Sequence, residues 1–322
     1  MIRTALITTI ALAAPTAAGA FLLSVPLDCD LGDDCYIQQY VDRDPGAGAA
    51  DFTCGPLAND GHKGTDFAIP SLSALATGVN VLAAAPGTVT GVRDGMADIP
   101  VTADNAPDID GRECGNGVVI RHGDGWETQY CHLKQGSIAV QSGQRVGKGA
   151  VLGQVGLSGQ TSYPHVHLSL RKDGAVIDPF DPSGTPTTCD TPETTLWEDP
   201  IAYRAGGLIS VGVDTAVPDY DAVKSGPPPI DRLTADIPAL VLWGYAYGGR
   251  AGDVLRIDIA GPDGFEFTHD AELDQSQPQL YRAAGTRNGG KPWPIGTYTG
   301  TVHMLRDGVE IDQRSVTFDI TP

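Results

Sequence analysis

The sequence predicts an all-β, two-domain chain, and three observations carry that reading. Of 322 residues, 41 are Gly and 24 are Pro, a density of helix breakers that disfavours long helical architecture. Short apolar runs recur between glycines, among them TDFAI, NVLAAA, GTVTGV, NGVVIRH, ETQYCHL and HVHLSLR, and such runs read as strands. No helix-period stretch of useful length interrupts them between about residues 61 and 182. With 41% hydrophobic and 19% charged residues, the composition is that of a globular protein and rules out wholesale disorder.

In chain order, residues 1–20 read first. Arg3 precedes the small-residue apolar run ALITTIALAAPTAAGA, a secretory signal expected to be cleaved near Ala20. Thr8, Thr9, Pro15, Thr16 and Gly19 make it too weakly apolar for an anchor, and no other stretch is long and apolar enough for stable membrane insertion. Export to the periplasm or the exterior favours disulfides among Cys29, Cys35, Cys54, Cys114, Cys131 and Cys189. Residues 21–60 form a Cys- and Asp-rich lead-in without clear periodicity. Residues 61–182 carry the first set of strands. Residues 183–229, rich in Thr, Pro and Asp, read as a connector that closes on Gly226-Pro227-Pro228-Pro229. In residues 230–322 the runs ALVLWGYAY, DVLRIDIA, TYTGTVHML and SVTFDI alternate with turn signals at Pro262-Asp263-Gly264 and Arg306-Asp307-Gly308. They suit an immunoglobulin-like β-sandwich. The formal charge of −19 argues against a nucleic-acid partner, which needs a basic footprint.

Chemistry concentrates in three segments. On a strand, residues two and four apart share a face, so His62 and Asp66 are expected to point together, as are His165 and His167. Val166, Leu168 and Leu170 would then face the core. The same alternation puts Tyr130 and His132 on one face and Cys131 on the other, which removes Cys131 as a metal ligand. Two imidazoles and a carboxylate are a common catalytic zinc set, with the fourth position left for water. His122, His269 and His303 lack an evident acidic or imidazole companion at ligand spacing, and read as ordinary hydrogen-bonded residues. A hairpin turning around Gly123 to Gly125 brings Cys114 and Cys131 opposite each other, within disulfide reach. The other four cysteines permit three pairings.

The segments GHKGTD, YCHL and GQRVGKGAVLGQVGLSGQTSYPHVHL, with PGTVTGV and GNGVVIRHGDGWETQYCHL between them, resemble the lysostaphin-type (LytM-like) zinc metallopeptidases, which are peptidoglycan endopeptidases. The resemblance covers roughly residues 60–182. It implies a lysostaphin-like antiparallel β-sheet groove and one zinc ion held by His62, Asp66 and His167, with His132 and His165 as the two catalytic histidines that do not bind metal. His165 is expected to act as general base, alone or with His132, the second imidazole stabilising the oxyanion. The family's usual Gly before Pro-His is Tyr163 here, a departure expected to reshape the groove. The implied activity is zinc-dependent hydrolysis of peptide bonds in bacterial cell-wall peptidoglycan. Two alternatives are a zinc protease of glycine-rich proteins and a non-hydrolytic, zinc-containing cell-wall binding or regulatory module. The acidic loop 94–113 is expected to border the groove. Trp243, Tyr245 and Tyr247 are expected to pack in the C-terminal domain rather than form a ligand platform.

Overall fold

The computed structural model describes residues 20–184, 189, 192, 194–228 and 233–322. The segment read as an export signal, except Ala20, and Pro229 of the proline tract therefore lie outside the described residues. The first unit contains β1 (Tyr36–Gln39), β2 (Thr65–Ala68), β3 (Asn80–Leu82), β4 (Gly87–Arg93) and β5 (Asn116–Gly123). It continues with β6 (Trp126–Leu133), β7 (Arg145–Val146), β8 (Val151–Gln154), β9 (His165–Lys172) and β10 (Ala175–Val176), and a short helix, α1 (Leu72–Thr77), follows β2. The large sheet runs β1-β2-β9-β6-β5-β4-β7, with β10 on β9, and β3 pairs with β8 apart from it. Its named pairings are antiparallel. Alternation explains the layering: Val166, Leu168 and Leu170 of β9 are each at most 1% exposed and join Phe67, Ile120, Tyr130 and Leu133 in the core. The other face of β9 is left to polar groups.

Residues 21–60 are more than a lead-in. They supply β1, which pairs with β2 through Tyr36 opposite Ala68 and Gln39 opposite Asp66. All four residues of β1 are buried, because the C-terminal unit covers the strand: the Gln279 side chain donates to Tyr36 Oη at 3.3 Å and to Gln38 Oε1 at 3.1 Å. A strand buried on both faces carries no polar alternation, which is why periodicity passes over YIQQ.

The second unit comprises β11 (Gly207–Asp214), β12 (Leu233–Thr234), β13 (Ala239–Gly249), β14 (Val254–Ala260), β15 (Glu266–Glu272), β16 (Gln277–Arg287), β17 (Gly296–Arg306) and β18 (Val309–Thr321). Two sheets form, β11-β13-β16 and β12-β18-β17-β14-β15. The segment read as a connector thus holds β11, followed by the short helix α2 (Tyr220–Ser225). Leu240 and Leu242 meet Leu255, Ile257, Val302 and Met304 in a second core. A Cβ at Gly244 would lie 2.7 Å from the Val302 side chain, so the sheets approach here only because position 244 is Gly. On the opposite face of β13, Trp243, Tyr245 and Tyr247 are buried and belong to the first core, with Tyr247 4.7 Å from the Tyr36 ring. These aromatics are packing groups, as expected, but they pack at the junction of the two units rather than inside the C-terminal one. Among the described residues no helix is long and apolar enough to cross a membrane.

The cysteines pair as Cys29–Cys35, Cys54–Cys189 and Cys114–Cys131. The last pair is the expected one, though the hairpin register is not. Val118 faces Tyr130 and Arg121 faces Glu127, and a straight continuation would set Cys131 opposite Gly117. Gly115, at φ 63°, and a bulge between Asn116 and Val118 bend the chain back, so that Cys114, ahead of β5, meets Cys131.

Candidate metal centre and groove

Asp66 on β2 faces His167 on β9 in the sheet register, and cross-strand partners share a face. Asp66 Oδ1 lies 2.8 Å from His167 Nδ1 and 3.1 Å from His62 Nε2, and those two nitrogens are 3.1 Å apart. His62 reaches this point from a turn before β2, not from the strand, so the shared-face rule is not what joins it to Asp66. The lead-in holds the turn: Asp42 N–H donates to His62 O at 2.9 Å, and Asp42 Oδ2 accepts from Gly61 N–H at 2.8 Å. His62 Nδ1–H donates to Tyr40 O at 2.6 Å, which directs Nε2 inward. Ser169 Oγ sits 3.0 Å from His167 Nε2 and correspondingly leaves Nδ1 inward. A Cβ at Gly64 would fall 2.6 Å from His167 Nε2, so the ring lies against bare backbone.

His132 corrects the alternation argument. Cys131 is opposite His167 and Gln129 is opposite Ser169, so Cys131 faces the groove and Tyr130, opposite Leu168, faces the core. His132 adopts φ 65°, and this left-handed residue turns the chain so that its ring also enters the groove, 4.7 Å from the His165 ring. Cys131 is unavailable to a metal because it is disulfide-bonded, not because it faces away. His132 Nδ1–H donates to Ser158 O at 2.8 Å. His165 Nδ1–H donates to Tyr163 O at 3.0 Å, with Thr161 Oγ1 at 3.1 Å. Both rings therefore offer Nε2 as the nitrogen for a substrate. The supporting groups Tyr40, Ser158, Thr161 and Ser169 carry no sequence signal of their own: Tyr40 and Ser158 act through backbone carbonyls, and Thr161 and Ser169 through ordinary hydroxyls.

Charge is strongly organised here. Burial opposes ionisation of Asp66, but His62, His165 and the hydrogen bond from His167 hold its carboxyl well below the usual range. Burial opposes protonation of His62, and the Asp66 carboxylate overcomes it, raising His62 to about 9. Burial, with the neighbouring imidazoles, pushes His132 well below the ordinary value, and burial likewise lowers His165. At neutral pH those two rings are proton acceptors.

The groove encloses about 670 Å³. Asn59 to Lys63 and Thr161 to Tyr163 line it, and loop 94–113 contributes Val101 and Glu113, as expected. A smaller cavity of about 280 Å³ beside Tyr36, Tyr40 and Arg204 has no histidine in its lining. His122 bonds Pro86 O and Thr128 Oγ1 outside the groove. His303 does have acidic companions, Glu310 at 2.6 Å and Asp258 at 3.4 Å; they lie across strands and were invisible in the linear spacing.

His62, Asp66 and His167 each offer a ligand atom within 4.8 Å of the others. Bonds of 2.0–2.1 Å in a tetrahedral site put ligand atoms about 3.3 Å apart, close to the separations observed, and two imidazoles with one carboxylate are a zinc donor set. The residues fit that ion.

Residues 60–179 match the family model for Peptidase family M23. The chain is 35% identical over 117 residues to peptidoglycan DD-endopeptidase ShyA of Vibrio cholerae, covering 36% of this chain and 22% of the relative. It is 32% identical over 146 residues to the DD-carboxypeptidase/endopeptidase Mpg of Neisseria meningitidis, covering 45% of this chain and 26% of the relative. The chain thus spans about a quarter of the length of these relatives. A crystal structure of the catalytic domain of the prophage-encoded M23 protein EnpA from Enterococcus faecalis, in a point-mutant form, aligns at 25% identity with a TM-score of 0.35. The alignment covers 52% of this chain and all of that one.

Proposed function

We propose, on the match of residues 60–179 to the model for Peptidase family M23, that the chain is an exported zinc-dependent endopeptidase that hydrolyses peptide bonds of bacterial cell-wall peptidoglycan. The observation that carries this reading is the meeting of three ligand atoms within 4.8 Å in a groove that also holds two neutral imidazoles. His62 Nε2, Asp66 Oδ1 and His167 Nδ1 hold the ion. When bound, zinc polarises the scissile carbonyl and makes water acidic enough to ionise near neutral pH.

The protein's own groups then manage the proton. His165 Nε2 accepts it from the attacking water, and Asp66 Oδ1, 3.5 Å away, stabilises the resulting imidazolium. His165 returns the proton to the leaving amine. His132 keeps its proton on Nδ1, donated to Ser158 O, so its Nε2 accepts a hydrogen bond from water or from a substrate N–H and orients the attack. An oxyanion-donor role for neutral His132 would need a proton on Nε2 instead.

The two additional imidazoles favour hydrolysis over a non-hydrolytic module, since a purely structural zinc has no use for them. Three disulfides among the described residues fit the export signal read at residues 1–20. Purified full-length protein incubated with isolated sacculi is expected to release peptides with new amino termini, detected by mass spectrometry, and to be silenced by a chelator. Cleavage of casein or elastin with intact sacculi would replace this substrate with the glycine-rich protein alternative.

A further inference from the structure

We infer that Tyr163 is a positioning residue of the metal centre, its hydroxyl reserving one carboxylate oxygen of Asp66 for the ion and its ring fixing the His165 imidazole. The inference rests on the zinc reading above and concerns how this chain builds that site.

Asp66 is 4% exposed, and a buried carboxylate needs partners on both oxygens. The two oxygens are used differently. Oδ1 takes the imidazole contacts, His167 at 2.8 Å, His62 at 3.1 Å and His165 at 3.5 Å. Oδ2 accepts a hydrogen bond from Tyr163 Oη at 2.9 Å. The phenol is the donor in this contact, because an ionised carboxylate only accepts. A carboxylate with one oxygen occupied in this way binds metal through the other alone, and a coordination position stays open for water or substrate.

The same residue reaches His165 twice. Its ring stacks on the imidazole, with centroids 4.3 Å apart and planes at 20°, and its carbonyl accepts from His165 Nδ1. Thr161 Oγ1 donates to that carbonyl at 2.8 Å, which holds the residue in place. The resembling family's Gly at this position has no side chain for either the hydrogen bond or the stack. Tyr163 is therefore a feature of this chain and not of the shared motif.

Two variants separate the two contacts. Tyr163→Phe keeps the ring and removes only the hydroxyl, whereas Tyr163→Gly removes both. Zinc affinity is measured by chelator competition, and the metal geometry by the visible spectrum of the cobalt-substituted protein. Tyr163→Phe is expected to weaken zinc binding about tenfold or more and to lower the cobalt absorption as Asp66 becomes free to chelate through both oxygens. At saturating zinc Tyr163→Phe should recover most of its kcat, while Tyr163→Gly should stay at least tenfold lower because His165 has lost its stack. Zinc affinity in Tyr163→Phe within twofold of wild type, with an unchanged cobalt spectrum, would overturn the hydroxyl's role; equal kcat for the two variants would overturn the ring's. A wild-type protein that takes up no zinc would instead overturn the metal reading, and this inference with it.

Discussion

The backbone at His132 holds the part of the groove that strand alternation misplaces. A left-handed φ of 65° costs a non-glycine residue about 1–2 kcal/mol. Two hydrogen bonds offset it, from His132 N–H to Cys114 O and from Nδ1–H to Ser158 O, both 2.8 Å. His132→Ala should keep zinc and lower kcat by about 10²–10⁴, whereas His167→Ala should no longer bind the ion. Metal analysis beside single-turnover kinetics checks both, and near-normal turnover in either variant contradicts the assignments. A second prediction concerns protons. In the metal-free protein His62 is raised to about 9, so at pH 7.5 metal uptake must displace its proton. Titration calorimetry in buffers of different ionisation enthalpy should count about one proton released per zinc, falling toward none above pH 9. Zinc affinity should accordingly weaken as pH falls from 8.5 to 6.5. No release at pH 7.5 would contradict the geometry at His62. At this scale residue identity and spacing were legible, because His62, Asp66, His165 and His167 recur in short segments. The turn at His62 and the entry of the His132 ring into the groove were not, since both depend on positive-φ backbone at Gly61 and His132 that no apolar pattern encodes.

At the level of elements, the β5–β6 hairpin and the segment after β9 each carry a consequence. The Cys114–Cys131 bridge spans a separation of 17 residues, for which chain entropy gives about 3 kcal/mol. Because His132 N–H binds Cys114 O, replacing both cysteines with Ala should lower the melting temperature and reduce kcat while leaving zinc affinity close to wild type. A variant with unaltered kcat would show that the bridge does not position His132. Asp178 lies beyond β10, and burial raises its carboxyl to about 6. Its Oδ2 is buried without a hydrogen-bond partner. Because the folded-state pKa lies above the unfolded value of 3.8, stability falls as pH rises from about 4 to about 6, where the folded carboxyl is forced to ionise. Asp178→Asn should therefore stabilise the protein by about 2–3 kcal/mol at pH 8, by about half of that at pH 5, and not at all below about pH 4, as read by denaturant unfolding across that range. Equal stability at pH 8 would contradict it. The strands of the first sheet were legible wherever one face is polar. β1 was hidden because both of its faces are covered, and β11 because its Gly, Pro and Asp surroundings resemble a linker.

Across the whole molecule, the two β units were legible as separate runs of strands, but their junction was not. Trp243, Tyr245 and Tyr247 cover β1, β1 pairs with the strand that carries Asp66, and Tyr40 just beyond it holds His62. The cluster of His62, Asp66 and His167 is thus flanked by an edge strand, β1, that the second unit packs against. Full-length protein is expected to unfold in one transition, with tryptophan fluorescence and far-ultraviolet circular dichroism coincident; two resolved transitions would mean that the units are energetically independent. The central claim is that one ion, held by His62, Asp66 and His167, makes this groove a peptidoglycan hydrolase. Its most direct test is to strip the protein with a chelator and titrate zinc back while following peptide release from sacculi. The expected result is no release without metal and full recovery at one zinc per chain, with no recovery in His167→Ala. Undiminished hydrolysis by the stripped protein would contradict the claim.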